Sequence, residues 1–388
     1  MASGRELTAR SRGADARRGF VHARRIVVKI GSQLVTAPGI GPDPDRIERL
    51  AADVAAVRRD REVALVSSGA IATGMARLAL PERPRSIPEK QAAAAVGQSA
   101  LMWQYEIAFK RHGLAVGQVL LTAHDIGDRT RYLNARNTLL ALLAFGVVPI
   151  VNENDTVAVD EIKVGDNDNL SALVASLIEA DLLVLLTDVE GLYTADPSRA
   201  TDATKIDVVD GITDDILAMA GGHHDDVSVG GMATKLQAAQ KAAASGVPMV
   251  IASGREPGVL ARILSGETVG TCFLPKADRL GARKRWIAFA APPQGRLVVD
   301  AGAVRALTRQ GRSLLPSGVT AADGDFGAGD IVSVVDDHGH EVARGLVNFD
   351  AGELARILGL KTQDIEARLG YKSVDEVIHR DNLVVLEA

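Results

Sequence analysis

Between residue 25 and about residue 274, short apolar runs alternate with longer stretches of helical periodicity. The runs at 26–30, 63–66, 116–121, 147–151, 182–186 and 248–251 are rich in Val, Ile and Leu, as strands buried on both faces are. Segments 44–59, 89–111, 130–145, 169–180 and 232–244 place apolar residues at helical spacing with polar residues opposite, and predict helices. This alternation predicts a three-layer α/β/α fold around a mostly parallel sheet. Right-handed crossovers then bring the strand C-terminal ends to one edge, where open sheets of this class bind ligands.

The texture changes around residue 280. A stretch at 281–294, with Lys284-Arg285-Trp286 and then Pro292-Pro293-Gln294-Gly295 at its end, reads as a linker. Beyond it, short strands at 296–299, 331–335 and 342–347 alternate with the turns Asp323-Gly324-Asp325 and Asp337-His338-Gly339. The expected plan is a basic extension at 1–24, a large α/β domain at 25–280, a linker at 281–294, a small β-rich domain at 295–372 and a tail at 373–388. The first 25 residues hold seven arginines against two acids, Glu6 and Asp15, without an amphipathic stripe or an apolar secretory segment. Composition therefore favours a disordered extension over a transit peptide.

Bulk composition narrows the class. A chain of 388 residues exceeds the usual size of a single core, which agrees with two domains. A lone cysteine, Cys272, excludes a disulfide framework and a cysteine zinc site, and suits a reducing compartment such as the cytoplasm. The net charge of −5 does not advertise nucleic acid or membrane binding, and no apolar run reaches the roughly 20 residues needed to span a bilayer.

Polar residues interrupt the apolar pattern where strands end. The first strand closes Val28-Lys29-Ile30-Gly31, and the second Ser67-Ser68-Gly69-Ala70. Small residues at a strand-to-helix turn expose backbone N–H groups, which suit phosphate or carboxylate. Taken singly, Lys29 is equally a snorkelling lysine and Ser67–Ala70 an ordinary helix cap. Val151-Asn152-Glu153-Asn154-Asp155 is denser, and Gly165-Asp166-Asn167-Asp168-Asn169 follows it before a helical pattern. One residue of that loop suffices as a cap, so the others are free to hold an ammonium and orient lysines. An EF-hand fails on spacing. Leu186-Thr187-Asp188 closes another strand, and Gly230-Gly231-Met232-Ala233-Thr234-Lys235 opens a helix with a positive charge in its first turn. His223-His224-Asp225-Asp226 has no further ligand at metal spacing and reads as a solvated loop. A P-loop is absent, as is a Gly-x-Gly-x-x-Gly after the first strand, so separate pieces must hold any phosphate.

These segments, together with Ala95-Val96-Gly97-Gln98, Leu133-Asn134-Ala135-Arg136 and Gly191-Leu192-Tyr193-Thr194-Ala195-Asp196-Pro197, resemble the glutamate 5-kinases (γ-glutamyl kinases) of the amino-acid kinase family. Beyond the junction, the chain is similar to the PUA domain that many members carry. The resemblance implies transfer of a phosphoryl group from ATP, with Mg²⁺, to the γ-carboxylate of L-glutamate in the first step of proline biosynthesis, and inhibition by proline. By matched position, Lys29, Thr187, Asp188, Val229, Gly230, Gly231, Met232, Ala233, Thr234 and Lys235 would bind ATP, and Ser68, Asp155 and Asn167 would bind glutamate. Lys29, Lys235 and Asp168 would be catalytic: Lys29 on the transferring phosphoryl, Lys235 on the β/γ phosphates, Asp168 orienting both. The family often has a threonine at the Val229 position and a Thr-Ser pair at Ser32-Gln33. A γ-carboxylate is ionised at pH 7, so no general base is needed. A homo-oligomer is expected. The rivals are another amino-acid kinase, separable by its acyl acceptor, and an RNA-binding protein. Residues 295–370 carry eight Arg and Lys against eleven acids, which argues against a phosphate-tracking surface.

Overall fold

In the computed structural model of the chain, the described residues are 4–37, 39–157, 167–197, 200–219, 231–275, 284, 287–288, 292–371 and 374–386. They divide into two compact units, Met1–Arg279 and Leu280–Ala388.

In chain order, the first unit contains α1 (Gly4–Gly19), β1 (Arg25–Ile30), β2 (Thr36–Ala37), β3 (Gly41–Pro42), α2 (Pro44–Val57), β4 (Glu62–Ser67), α3 (Ala70–Arg77) and α4 (Ile87–Arg111). There follow β5 (Val116–Leu121), α5 (Ala123–Gly127), α6 (Arg129–Ala144), β6 (Val148–Glu153), α7 (Asn167–Leu177) and β7 (Leu182–Thr187). The unit closes with β8 (Val208–Val209), α8 (Asp214–Met219), α9 (Met232–Ala244), β9 (Met249–Ser253), α10 (Val259–Leu264) and β10 (Thr271–Phe273).

Eight of these strands form one sheet in the order β5-β6-β4-β1-β7-β9-β10-β8, parallel throughout except between β9 and β10. Strands β4 and β7 flank β1, so the chain winds outward in both directions from it. Such a switch point leaves a crevice outside the strand C-terminal ends. The buried-strand reading holds at the centre of the sheet: all six residues of β7 are buried, and in β1 and β4 only the first residues, Arg25 and Glu62, are not. It fails for β5, an edge strand in which only Leu121 is buried. Ile26, Val28 and Ile30 of β1 join one core cluster with Ile47 and Val54 of α2, Phe109 of α4 and Leu260 of α10. Alternation turns Lys29 to the opposite face, toward α7.

Helix starts follow local chemistry. The Asp43 side chain accepts from the backbone N–H groups of Asp45 and Arg46, with Pro44 in the first turn of α2. Ser86 and Glu89 form a capping box on α4. Two glycines allow α3 and α4 to meet backbone to backbone. A Cβ on Gly97 would lie 1.8 Å from the Ala70 carbonyl oxygen, and one on Gly74 would lie 1.7 Å from that of Ala93. Only glycine fits either position, and the contact carries α4 up to the ends of β4 and β6.

The expected disordered extension is instead helical from Gly4 and tied to the unit's last strands. Gly13 approaches Val208, Phe20 is buried, and the buried Arg17 guanidinium donates to four carbonyls: Glu267 at 3.2 Å, Val269 at 2.8 Å, and Asp207 and Gly270 at 3.0 Å each. An arginine count cannot distinguish a solvated charge from one that satisfies a ring of carbonyls.

The second unit contains β11 (Gly295–Val299), α11 (Ala301–Gln310), β12 (Val319–Gly324), β13 (Ile331–Val335), β14 (Glu341–Leu346), α12 (Ala351–Ile357), α13 (Ile365–Leu369) and β15 (Leu383–Val385). Its sheet runs β12-β11-β13-β14-β15 over a core that includes Leu297, Phe326, Val334, Phe349 and Leu354. Two readings change here. The tail supplies β15, paired antiparallel with β14, and so belongs to the sheet. Within the expected linker, most of which lies outside the described residues, Ile287 and Ala288 are buried.

Candidate active site

The C-terminal ends of β1, β4, β6 and β7 converge on the start of α7. Asp168 sits in the first turn of α7 with no solvent exposure, and two lysines reach it from different elements. Lys29 Nζ, from β1, lies 2.6 Å from Asp168 Oδ1, and Lys235 Nζ, from the first turn of α9, lies 3.2 Å from Oδ2. Thr234 Oγ1 is 3.0 Å from the same Oδ2. Burial pushes the Asp168 carboxyl up, but the Lys29 and Lys235 ammoniums outweigh it and hold the group below the ordinary carboxylate range. The result is a fixed carboxylate holding two cations at the sheet edge, where α9 also presents the free N–H groups of its first turn.

One residue earlier, Asn167 turns toward the strand ends. Its Nδ2 lies 2.9 Å from each of three acceptors: the Ser67 carbonyl, Ser68 Oγ and Asn152 Oδ1. Asn152 Nδ2 in turn donates to Gln98 Oε1 at 2.9 Å. One residue later, Asn169 is buried inside α7 and bonds to α9, accepting from Lys241 Nζ at 2.7 Å and donating to Gln237 Oε1 at 3.3 Å. It therefore bridges α7 to α9.

The expected catalytic trio is thus brought together, Lys29 and Lys235 each bonded to Asp168, and Ser68 and Asn167 are bonded to each other. Asp155 lies half-buried in the turn that follows β6. Thr187 ends β7 and donates to Asp188 Oδ1 at 3.1 Å, apart from the trio's bonds. Gly231 and Met232 are partly exposed at the start of α9, with Ala233 and the buried Thr234 following. Val229 and Gly230 lie outside the described residues, as do Gly165, Asp166 and the His223–Asp226 loop. Among the described residues, no group of three His, Cys, Asp or Glu side chains is placed to hold a metal ion. Sequence reasoning assigned no role to Gln98 or Lys241. The Ala95–Gln98 motif was the one signal that touched Gln98.

This site, on a doubly wound sheet with a separate small β domain, defines a class. The description "Amino acid kinase family" matches residues 24–253, and "PUA domain" matches residues 295–369. The chain belongs to the amino acid kinase family. It is 54% identical over 373 residues to the glutamate 5-kinase of Moorella thermoacetica, covering 96% of this chain and 99% of that one. The glutamate 5-kinase of Ralstonia nicotianae is 55% identical over 365 residues, covering 94% and 98%. That of Trichlorobacter lovleyi is 52% identical over 372 residues, covering 95% and 99%.

Proposed function

We propose that this chain phosphorylates the γ-carboxylate of L-glutamate, giving L-glutamyl 5-phosphate and ADP, the first step of proline biosynthesis. The observation that carries this reading is the buried Lys29–Asp168–Lys235 trio beside the Asn167–Ser68 amide and hydroxyl cluster. A glutamate with its ammonium at the amide cluster extends its γ-carboxylate toward the lysines. One carboxylate oxygen attacks the γ-phosphorus as the bond to the β-phosphate oxygen breaks, and ADP leaves with that electron pair. The nucleophile arrives ionised, so no proton has to move.

Lys29 then neutralises charge on the transferring group, and Lys235, aided by the α9 amides, holds the β and γ phosphates. Val229, Gly230, Gly231, Met232 and Ala233 complete the phosphate-facing turn, and Thr187 and Asp188 bound the nucleotide side. Asp155 joins Ser68 and Asn167 around glutamate. Asp168 is committed to two lysines, so the donor set fits Mg²⁺ carried in on the nucleotide phosphates with few protein ligands, where it supplies charge neutralisation. Proline, which shares the α-amino acid head of glutamate, is the proposed inhibitor. The proposed setting is the cytoplasm, as a homo-oligomer; no described helix is long and apolar enough to cross a membrane.

ADP release by the purified chain, with L-glutamate, L-aspartate or N-acetylglutamate as acceptor and with or without proline, tests the reading. Glutamate should be preferred by at least about 100-fold, because a site built to bond a polar group rejects ligands that misplace it. Equal or greater turnover of aspartate or N-acetylglutamate would overturn it.

A further inference from the structure

The amide orientations around Asn167 are fixed by backbone groups, and their direction can be followed outward. The Ser67 carbonyl can only accept, so the side of Asn167 turned toward it, at 2.9 Å, is its NH₂ group. The Glu153 backbone N–H can only donate, and it lies 2.9 Å from Asn152 Oδ1, which fixes the second amide. Asn152 must then present its own NH₂ to Gln98, and it meets Oε1 at 2.9 Å. Donation runs one way along the relay, from Asn167 to Asn152 to Gln98.

We infer that Gln98 is a positioning residue that sets the polarity of this relay and so leaves Asn167 Oδ1 as the acceptor for the ammonium of an α-amino acid substrate. The inference rests on the reading above that Asn167 meets the substrate. All three of the Asn167 bonds given above use its NH₂ group, so its carbonyl oxygen is the atom left to face a ligand. An oxygen aimed into a site suits an ammonium, and charge-assisted bonds of that kind are the stronger ones.

If Gln98 offered NH₂ instead, two donors would oppose each other. Turning Asn152 to relieve that clash would set its NH₂ against both the Glu153 N–H and the Asn167 NH₂. The acceptor on Gln98 is thus the end condition that makes every bond in the relay consistent. Its placement comes from α4, which Gly97 allows to lie against the Ala70 carbonyl, where a Cβ would stand 1.8 Å away.

The test uses the full-length chain, ADP-release kinetics and two ligands, L-glutamate as substrate and glutarate, its analogue without the ammonium, as competitor. Gln98→Met removes the acceptor, Gln98→Glu keeps one in the same place, and Asn167→Ala removes the residue the relay serves. Gln98→Met should raise KM for glutamate about tenfold, corresponding to about 1.4 kcal/mol. It should leave kcat, KM for ATP and Ki for glutarate within about twofold, because only the ammonium contact is affected. Gln98→Glu should stay within about threefold of the parent KM.

If Asn167→Ala raises KM for glutamate while Gln98→Met leaves it unchanged, or weakens glutarate as much as glutamate, the relay is not a positioning device. If Asn167→Ala itself leaves KM unchanged, the substrate assignment of Asn167 fails first and the inference falls with it. The two failures are therefore distinguishable.

Discussion

Asp168→Asn isolates the charge at the centre of the site, because asparagine keeps the size and an acceptor oxygen for Thr234 while removing the countercharge of two lysines. At 2.6 Å and 3.2 Å, and an effective dielectric of about 20, each lysine contact amounts to about 5–6 kcal/mol of attraction. Desolvating the three buried groups cancels much of this, and breaking such a site by removing one partner costs about 3–5 kcal/mol net. At roughly 2 °C per kcal/mol for a unit of this size, the variant without nucleotide should melt about 6–10 °C lower.

Two uncompensated ammoniums also attract a polyphosphate more strongly, so ADP should stabilise the variant more than the parent. Meanwhile kcat should fall by about 100-fold or more, since the lysines lose their fixed directions. The pH dependence has a definite sign. The folded-state pKa of Asp168 is depressed, so its stabilisation is complete above the unfolded value near 3.9 and is lost only as pH falls through the folded value. The deficit of the variant should therefore be flat from about pH 5 to 8. Thermal denaturation with and without ADP, together with steady-state kinetics, checks all three points. An unchanged melting temperature without nucleotide, or ADP stabilising the variant less than the parent, would refute the reasoning.

Gly97→Ala should cost several kcal/mol or abolish soluble expression, since its Cβ would stand 1.8 Å from a carbonyl oxygen, while Gly19→Ala, with nothing within 4 Å, should be neutral in urea unfolding. Arg17→Met should destabilise by about 2–4 kcal/mol because four carbonyls lose their donor. Arg17→Lys should recover only part of that, an ammonium being unable to span the same fork. Equal stability of Arg17→Met and the parent would mean that α1 is not integral to the unit. Burial raises the Cys272 thiol pKa to about 11, so it should resist a thiol reagent at pH 8 in the native state and react at once in denaturant.

What was legible from the sequence was whatever interrupts a pattern. Lys29 within β1 and Ser68 just past β4 stand out because buried parallel strands are otherwise apolar, and the longer central strands need no long-range information to be read. Arg17, Asn152 and Gln98 have roles that depend on which carbonyl or amide the fold brings opposite them, and no local pattern encodes that. Gln98 sits on a helix whose alanine-rich sequence is nearly featureless, and only the closeness of Gly97 to Ala70 delivers it to the site. β15 was missed for a related reason: three residues near the chain's end carry little periodic signal until β14 pairs with them.

The same distinction explains the run Asn167-Asp168-Asn169, which reads in sequence as one polar cluster. Placed at the start of α7, successive side chains leave the axis about 100° apart. Asn167 faces the ends of β4 and β6, Asp168 faces Lys29 and the first turn of α9, and Asn169 faces Lys241 further along α9. Three adjacent residues thereby hold an amide cluster, a charge centre and a helix–helix clamp that do not compete for partners. A one-residue insertion between Asn169 and Leu170 would leave the run intact but turn all three side chains by about 100° relative to the rest of α7, out of place for every duty.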